Sequence, residues 1–305
     1  MTILVVGSVA YDDVATPTVQ RERLLGGSAT YFSCAAGFFA PARLVAVVGE
    51  DFEEEHFELL RRRNVDLEGL EVAEGKTFTY SCRYEADMNV RTTLSTELNV
   101  FADFHPRLPE SYRDSDLVFL ANIHPELQLE VLEQARKPRL VACDTMNLWI
   151  ETAFDSLRRL LRDVDVLMVN DDEAKMMTGE RHLPRAARRV LEWGPSRLVV
   201  KRGEYGVVMF SSDGVFAAPA YPLEEIHDPT GAGDAFAGGF IGSLARQGSL
   251  DDAAFRLSVV YGSAMASFAV EDFSLNRLSR LAPEEIRERV CGFRDISTFH
   301  DPDQE

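Results

Sequence analysis

The sequence has few positively charged residues relative to its acidic ones, and few of the positively charged residues are lysines. Its 305 residues include 32 Lys and Arg against 50 Asp and Glu, which gives a formal net charge of −18. Nucleic-acid binding requires clustered cations, so this excess of carboxylate argues against a nucleic-acid partner. Only four of the basic residues are lysines, a bias that a saline cytoplasm and GC-rich coding explain equally well.

Long apolar runs and cysteine motifs are also missing. No apolar run approaches the ~18 residues of a membrane span, and the start of the chain lacks the basic residues of a secretory signal. We therefore expect a cytoplasmic protein without a membrane partner. The four cysteines form no CxxC pair, and the six histidines show no HExxH or HxH spacing. Neither a disulfide scaffold nor a structural zinc site is expected.

Hydrophobic residues make up 46% of the chain, which is enough for a large core. Short β-branched runs predict strands at 3–7, 44–48, 117–120, 140–143, 166–169 and 198–201, and a hairpin at 206–210 and 215–218. Amphipathic stretches predict helices at 28–39, 53–63, 126–135, 151–161, 172–177, 184–193, 232–246, 251–268 and 283–290. This alternation indicates an α/β fold with a doubly wound, mostly parallel sheet and helices on both faces.

One β-rich stretch interrupts the alternation. Residues 77–101 are rich in Thr, Tyr, Val and Phe with roughly alternating polarity, and they predict two or three antiparallel strands outside the main sheet. They are sufficient for a small lid, to which residues from about 12 to 24 are expected to contribute. We expect residues 1–305 to form one domain with this lid, and residues 301–305 to be frayed.

The most informative segment runs from Asp228 to Gly239 and reads Asp-Pro-Thr-Gly-Ala-Gly-Asp-Ala-Phe-Ala-Gly-Gly. A Gly-Ala-Gly turn leads directly into a predicted helix, whose first amides have no intrahelical partner and form an anion site at the positive end of the helix dipole. Asp234 lies in the first turn, where a carboxylate would repel a phosphate. A general base for an attacking hydroxyl explains why an acid stands there.

Weaker signals lie at the ends of predicted strands and before a helix. Gly26-Gly27 opens an early helix and permits close approach of a ligand to the backbone. Asn170 and Glu173 follow a strand at a spacing that could hold hydrated Mg²⁺, although the pattern taken alone favours helix capping by Asn170 or Asp171. Lys201 begins a glycine-punctuated turn after another strand. In parallel sheets, ligands bind at such carboxyl ends.

Taken in this order, the motifs resemble those of the ribokinase (PfkB) family of carbohydrate and nucleoside kinases. Gly26-Gly27 resembles the family's first motif, Asn170–Glu173 its NxxE motif, and Asp228–Asp234 its DTxGAGD motif, with Pro229 in place of the usual Thr. The GxxxxGK[ST] and GxGxxG nucleotide motifs are absent. The resemblance implies a ribokinase-like fold and transfer of the γ-phosphoryl group of ATP to a hydroxyl of a sugar or sugar-like molecule.

The resemblance also implies roles for residues on the nucleotide side. Asp234 matches the family's catalytic base, and the amides of Gly231, Ala232 and Gly233 match its anion hole for developing charge. An intact base and glycine turn argue against a catalytically silent sensor. The matches to ATP-binding positions are Asn170, Lys201, Gly203, Gly206, Gly231 and Gly233.

Cations and substrate complete the implied site. Glu173 matches the residue that holds Mg²⁺ through water, and Asp228 and Thr230 match positions that in some members hold a monovalent cation such as K⁺. Asp12 matches the carboxylate that grips sugar hydroxyls. The matches on the substrate side are Asp12, Gly26, Gly27, Tyr31 and Asp234. In many relatives the lid also forms a dimer contact, which implies a homodimer through the lid.

Two departures from the family pattern leave the substrate open. Ala10 and Tyr31 stand where ribokinase-like members carry Asn, so two amides that bind sugar hydroxyls are missing. A nucleoside such as adenosine, inosine or guanosine is therefore the alternative substrate, because its base could stack on Tyr31 or on a lid aromatic (Phe78, Tyr80 or Phe101). Packing of Tyr31 beneath the lid is the other explanation for this substitution.

Overall fold

The computed structural model describes residues 1–88 and 90–298. Its strands, in chain order β1 to β13, are Ile3–Val6, Ala10–Ala15, Gln20–Gly26, Ala42–Gly49, Val65–Ala73, Phe78–Tyr84, Arg91–Glu97, Leu117–Leu120, Leu140–Asp144, Val166–Asn170, Arg197–Lys201, Val207–Ser211 and Gly214–Ala218. Its α-helices, α1 to α11, are Ser28–Ala36, Glu54–Arg62, Pro125–Gln134, Asn147–Thr152, Phe154–Leu160, Asp171–Thr178, Leu183–Leu191, Ala232–Gln247, Asp252–Ala269, Asn276–Arg280 and Pro283–Ser297.

The main sheet has the strand order β13-β12-β11-β10-β9-β8-β1-β4-β5. The strands from β11 to β5 run parallel, whereas β12 and β13 continue the sheet as an antiparallel hairpin. The chain first builds from β1 towards β5 and then returns to the other side of β1. The order therefore reverses at β1, and ligands in such sheets bind beyond the carboxyl ends of the strands near this reversal.

Helices cover both faces of this sheet, as β1 illustrates. All four of its side chains are buried, with Ile3 and Val5 in one apolar core and Leu4 and Val6 in the other. Successive side chains of a strand point to opposite faces, so a strand buried on both sides is continuously apolar. The predicted doubly wound, mostly parallel α/β fold is confirmed.

A second sheet, called the lid here, consists of β2, β3, β6 and β7 in the order β3-β2-β6-β7. The pairs β2–β3 and β6–β7 are antiparallel, whereas β2 and β6 run parallel. The strands β6 and β7 lie within the stretch 77–101, and β2 and β3 lie within 10–26. Because β2 carries Asp12, the lid contributes directly to the region of the predicted site.

Some elements differ from the predictions. The edge strand β5 was not predicted, because its sequence alternates acidic and apolar residues and most of its side chains are at least partly exposed. The predicted helix at 151–161 is divided into α4 and α5 at Ala153, which leaves the helical conformation. Residues 301–305 lie outside the described residues. No helix in the described part of the chain is long and apolar enough to cross a membrane.

The packing of α8 on α1 yields a stability prediction. A Cβ on Gly238 of α8 would lie 2.3 Å from the carbonyl oxygen of Phe32, and backbone cannot yield as a side-chain tip can. Gly238→Ala should therefore lower the free energy of unfolding by ~1–3 kcal/mol, measured by urea denaturation. Gly292→Ala in α11 is the control, since its added methyl would meet only the Tyr221 side chain at 3.0 Å. Equal losses in both variants would contradict the proposed backbone contact.

Candidate active site

The carboxyl ends of three neighbouring strands bring polar side chains together. β9 ends at Asp144, β10 at Asn170 and β11 at Lys201, and Asn170 lies opposite Lys201 in the sheet register. Parallel strands end at one edge of their sheet, so residues far apart in sequence become neighbours there. The helix α6 begins directly after Asn170 and α8 begins at Ala232, which completes this edge.

The glycine turn before α8 has a geometry that only glycine permits. Gly231 adopts φ 74° and ψ 0°, in the left-handed region. A Cβ at this position would also lie 2.3 Å from the ring of Tyr31. The amide of Ala232 donates to the carbonyl of Pro229 at 3.2 Å, whereas the next amides of α8 have no carbonyl four residues earlier in the helix. These amides and the positive end of the helix dipole can together bind an anion at the turn.

The ring of Tyr31 lies directly beneath this turn and is 1% exposed. Tyr31 is therefore a packed side chain, as one of the two explanations of this substitution expects, and does not present an open surface on which a base could stack. Burial raises the pKa of the Tyr31 phenol well above its usual range, and the carboxylates of Asp228, Asp12 and Asp234 raise it further. Tyr31 consequently remains a neutral phenol that supports Gly231.

Asp234 occupies the first turn of α8, as predicted. Burial raises the pKa of its carboxyl group to about 7, and the nearby charge of Asp144 adds to this effect, while Lys201 and Arg91 oppose it. A carboxyl group that titrates near neutral pH combines an available base form with a useful proton affinity. The geometry and this pKa suit Asp234 to accept a proton from a hydroxyl group.

Lys201 forms an ion pair that the sequence did not predict. Its ammonium donates to Asp144 Oδ2 at 2.9 Å, and the two side chains are 20% and 6% exposed. The same ammonium adjoins the glycine turn, because a Cβ built on Gly233 would lie 2.9 Å from Nζ. The signal for Asp144 was its position immediately after the predicted strand at 140–143.

Asn170 and Glu173 form a reciprocal capping box at the start of α6. Asn170 Oδ1 accepts from the Glu173 amide at 2.8 Å, and Glu173 Oε2 accepts from the Asn170 amide at 2.8 Å. The capping interpretation of this motif is therefore correct. Burial raises the pKa of Glu173 to about 7, and the charge of Asp144 contributes to the shift. The acidic Glu173 thus adjoins the same cluster of charges.

Asp12 reaches the site from β2 of the lid. Its carboxylate is 4% exposed and lies against Gly26, where a Cβ would come within 2.0 Å of Oδ2. Burial raises the pKa of Asp12 to about 8, and the charges of Asp228 and Asp234 raise it as well. Gly27 precedes α1 with a φ of 94°. Gly26 therefore leaves room for a buried carboxyl group, whereas Gly27 permits close approach to the backbone of Ser8.

Asp228 and Thr230 connect the glycine turn to its surroundings. Asp228 Oδ1 accepts from the Thr230 amide at 2.9 Å, and Oδ2 accepts from the Ser274 amide at 3.4 Å. Burial raises the pKa of Asp228. The hydroxyl groups of Thr230 and Tyr84 share a hydrogen bond at 3.1 Å, so the lid is tied to the turn.

Three further residues complete the site: two glycines predicted from the sequence and one arginine that was not. Gly203 and Gly206 lie in the turn after β11 with φ of 54° and 83°. A Cβ on Gly206 would meet the carbonyl of Ala218 at 2.2 Å. Arg91 of β7 was not singled out from the sequence, yet it lies opposite Tyr84 in the lid register and its charge acts on Asp234.

Comparison with known proteins agrees with this geometry. The family model for pfkB family carbohydrate kinases matches residues 3–279. The chain is 33% identical over 259 residues to a cytidine kinase of Thermococcus kodakarensis, with 83% of this chain and 91% of that protein covered. It is 27% identical to a nucleoside kinase of Methanothermobacter thermautotrophicus, with 88% and 89% covered. The fold superposes on the crystal structure of Methanocaldococcus jannaschii nucleoside kinase with a TM-score of 0.75 at 21% identity, covering 95% of this chain and 97% of that one.

The raised pKa of Asp12 predicts a pH-dependent stability. The folded protein binds a proton at Asp12 with a pKa of about 8, whereas the unfolded carboxyl group keeps a pKa near ~4. The folded state therefore holds this proton more tightly, and its stability falls as the pH rises from ~4 to ~8. Asp12→Asn removes this loss. The difference in free energy of unfolding between Asp12→Asn and wild type should therefore change in favour of the variant by at least ~1 kcal/mol from pH 5 to pH 8.5.

Asp51→Asn is the matched control for this measurement. Burial acts to raise the pKa of Asp51, but hydrogen bonds from Thr77 prevail and lower it. Its stabilising effect is lost only as the pH falls below ~4, so its difference from wild type should stay constant between pH 5 and 8.5. A constant difference for Asp12→Asn as well would show that Asp12 is ionised throughout this range.

Proposed function

The chain belongs to the pfkB family of carbohydrate kinases, and from this membership we propose that it transfers the γ-phosphoryl group of ATP to a hydroxyl group of a nucleoside. Kinases of this family are phosphotransferases with an alcohol group as acceptor, and the chain is one of them. The observation that carries the proposed mechanism is Asp234 in the first turn of α8, directly after the anion site formed by the glycine turn. A base and an anion site in contact are what this transfer requires.

In the proposed reaction, the substrate hydroxyl attacks the γ-phosphorus and Asp234 accepts its proton. A new O–P bond forms, the bond to the β,γ-bridging oxygen breaks, and ADP leaves with that electron pair. Amides of Gly231 and Gly233 and the Lys201 ammonium stabilise the charge on the phosphoryl oxygens. Gly203 and Gly206 adjoin this region in the turn after Lys201 and would contact the nucleotide.

The acidic residues at this edge fit a divalent cation. Asp144 raises the pKa values of both Asp234 and Glu173, which shows an excess of negative charge that a cation would relieve. Oxygen ligands from carboxylate and amide groups suit Mg²⁺. Glu173 would hold the ion through water with Oε1, the carboxylate oxygen outside the capping box, whereas Asn170 Nδ2 would donate to a phosphate oxygen. When bound, Mg²⁺ would supply neutralisation of the phosphate charge.

The relatives favour a nucleoside as the acceptor. Two curated proteins that match most of the chain are a cytidine kinase and a nucleoside kinase. In the lid, Tyr80 lies opposite Asp12 in the register of β2 and β6 and is only partly buried. A ribose hydroxyl on Asp12 would therefore place a base near the Tyr80 ring. Phe78 and Phe101 stack on each other at 5.5 Å between ring centroids, which makes Tyr80 the preferred stacking residue.

Two further components of the proposal concern a monovalent cation and the oligomer. The buried carboxylate of Asp228 and the adjoining Thr230 would hold an ion such as K⁺ beside the glycine turn, because a buried carboxylate is stabilised by a bound cation. The lid ends in β7, an exposed edge strand that carries Leu94 at 49% exposure. Such an edge suits a homodimer contact with a second copy of the chain.

A substrate panel tests the acceptor. ADP release would be measured with cytidine, uridine, adenosine, inosine and guanosine, and with ribose and fructose as free sugars. Stacking of a base on an aromatic ring contributes ~1–3 kcal/mol, so the preferred nucleoside should exceed ribose ten- to a hundredfold in kcat/KM. Turnover of free sugars alone would reject the nucleoside proposal and favour the sugar kinase alternative.

Asp234→Asn tests the general base. The substitution keeps the size of the side chain but removes proton acceptance, so kcat should fall by ~10²- to 10⁴-fold. The dissociation constant for ATP, measured by calorimetry, should change by less than ~3-fold, because the anion site is intact. A near-normal kcat would show that another group, or water, accepts the proton. Asp116→Asn is the control for loss of a hydrogen-bonded Asp, because Asp116 lies at the amino end of β8, where it accepts from the Thr2 amide.

A further inference from the structure

Asp144 and Lys201 form a bridge across the carboxyl edge of the sheet. Their strands, β9 and β11, are separated by β10, so the Lys201 side chain passes the end of β10 to reach Asp144. The ammonium donates to Asp144 Oδ2 at 2.9 Å. Its acceptor is nearly inaccessible to water, because the Asp144 side chain is 6% exposed. Water therefore competes little for this ion pair.

Asp144 is itself held in place by two hydrogen bonds, one to its carboxylate and one to its main-chain carbonyl. Its Oδ1 accepts from the Thr145 amide at 2.7 Å. The main-chain carbonyl of Asp144 accepts from Gln128 Nε2 at 3.2 Å, and Gln128 is 1% exposed. Both hydrogen bonds leave Oδ2 directed to the ammonium. Asp144 is therefore a fixed acceptor at the end of a buried strand.

The ammonium that Asp144 holds lies beside the glycine turn. A Cβ on Gly233 would come within 2.9 Å of Lys201 Nζ, so the cation borders the anion site of α8. The carboxylates of Glu173 and Asp234 also act on Lys201, and each offers its flexible side chain a competing position. Three carboxylates thus surround one ammonium, and hydrogen bonding to Asp144 selects one position.

We propose that Asp144 is a positioning residue for phosphoryl transfer, which holds the Lys201 ammonium against the glycine turn so that it contacts the transferred phosphoryl group. This inference rests on the proposed function, because it requires phosphate to occupy the anion site at Gly231 and Gly233. A lysine ammonium is a point charge on a flexible stem. Fixing it before the reaction provides a preorganised donor where negative charge develops.

The arrangement has an electrostatic signature that simple structural support would not produce. The charged groups that face Asp234 are Asp144 from β9, Lys201 from β11, Arg91 from β7 and Asp12 from β2. Among them, Asp144 raises the pKa of Asp234, whereas Lys201 and Arg91 lower it. Removing Asp144 should therefore lower the pKa of Asp234, and removing Lys201 should raise it.

A double-mutant cycle measures the coupling of the pair. Asp144→Asn should lower kcat ~10- to 100-fold through misplacement of the ammonium, and Lys201→Met should lower it at least as much. The double variant should be no more than ~3-fold slower than Lys201→Met, because both substitutions remove one interaction. Additive losses, or wild-type kcat in either single variant, would overturn the inference.

The second readout does not depend on turnover. The carboxyl ¹³C resonance of Asp234 in the ligand-free protein, assigned with Asp234→Asn, gives its pKa in each variant. We expect a lower pKa in Asp144→Asn and a higher one in Lys201→Met. Shifts in the same direction would overturn the inference. Should Asp144→Asn fail to fold, Lys201→Met alone decides through its kcat and its effect on the pKa of Asp234.

A role for Asp144 as a Mg²⁺ ligand is the competing outcome. A tenfold increase in the Mg²⁺ concentration for half-maximal rate in Asp144→Asn, with no such increase in Lys201→Met, would establish it and reject positioning. Asp116→Asn is the matched control, since its carboxylate accepts from the Thr2 amide at 2.7 Å, and it should change stability without changing kcat.

The outcome is also distinguishable from failure of the proposed function. If the wild-type enzyme phosphorylates only a free sugar, the proposal of a nucleoside acceptor is rejected. The double-mutant cycle of Asp144 and Lys201 is then measured with that sugar. An active wild-type enzyme whose kcat is unchanged in Asp144→Asn would reject the positioning role alone. The inference and the acceptor proposal therefore fail through different measurements.

Discussion

The arrangement at the carboxyl edge depends on the repulsion between buried carboxylates. Asp12, Asp144, Glu173 and Asp234 approach this edge from two strands of different sheets and two helices, and Lys201 is the lysine among them. Burial raises the pKa of Asp234 and Glu173 to about 7 and that of Asp12 to about 8, and the charges of neighbouring carboxylates add to each shift. Such a cluster is stable only with bound protons or bound cations. Nucleotide phosphates accompanied by Mg²⁺, together with the lysine ammonium, fit this requirement, so the acidic net charge of −18 is compatible with a polyanionic substrate.

The glycine turn depends on a second constraint, which is steric. Gly231 requires a left-handed conformation, and the Tyr31 ring fills the space beneath it. Tyr31 replaces the Asn expected from the family resemblance, so an amide that would have contacted a sugar is exchanged for a packed ring. The packed ring brings no amide to the proposed acceptor site, while it supports the turn at Gly231. This explains how the chain departs from the family pattern at a substrate position yet retains the turn and Asp234.

The sequence predicted features set by local spacing better than those set by strand order. The position of Asp234 in the first turn of α8 was predictable because a glycine turn before an apolar helix is a local pattern. The parallel sheet was predictable because continuous β-branched runs are also local patterns. The pairing of Asp144 with Lys201 was not predictable, since it depends on β9 and β11 flanking β10. The same holds for Tyr80 beside Asp12, which requires the parallel pairing of β2 and β6. The proximity of Arg91 to Asp234 could not be predicted either, because it depends on how the lid packs against the main sheet.

The lid connects Asp12, the proposed acceptor-binding residue, to the glycine turn, the proposed phosphate site. Asp12 and Tyr84 lie on the neighbouring strands β2 and β6, and Tyr84 shares a hydrogen bond with Thr230 at the base of the glycine turn. A substrate held by Asp12 therefore contacts the same small sheet that is attached to the turn. Because β2 belongs to the lid and α8 to the main body, the proposed acceptor ligand Asp12 and the proposed base Asp234 lie on two parts of the fold. Their distance is then set by how the lid sits on the turn, and closing the lid over a bound substrate would both position the hydroxyl and exclude water. The hydrogen bond between Tyr84 and Thr230 links the position of the lid to the glycine turn.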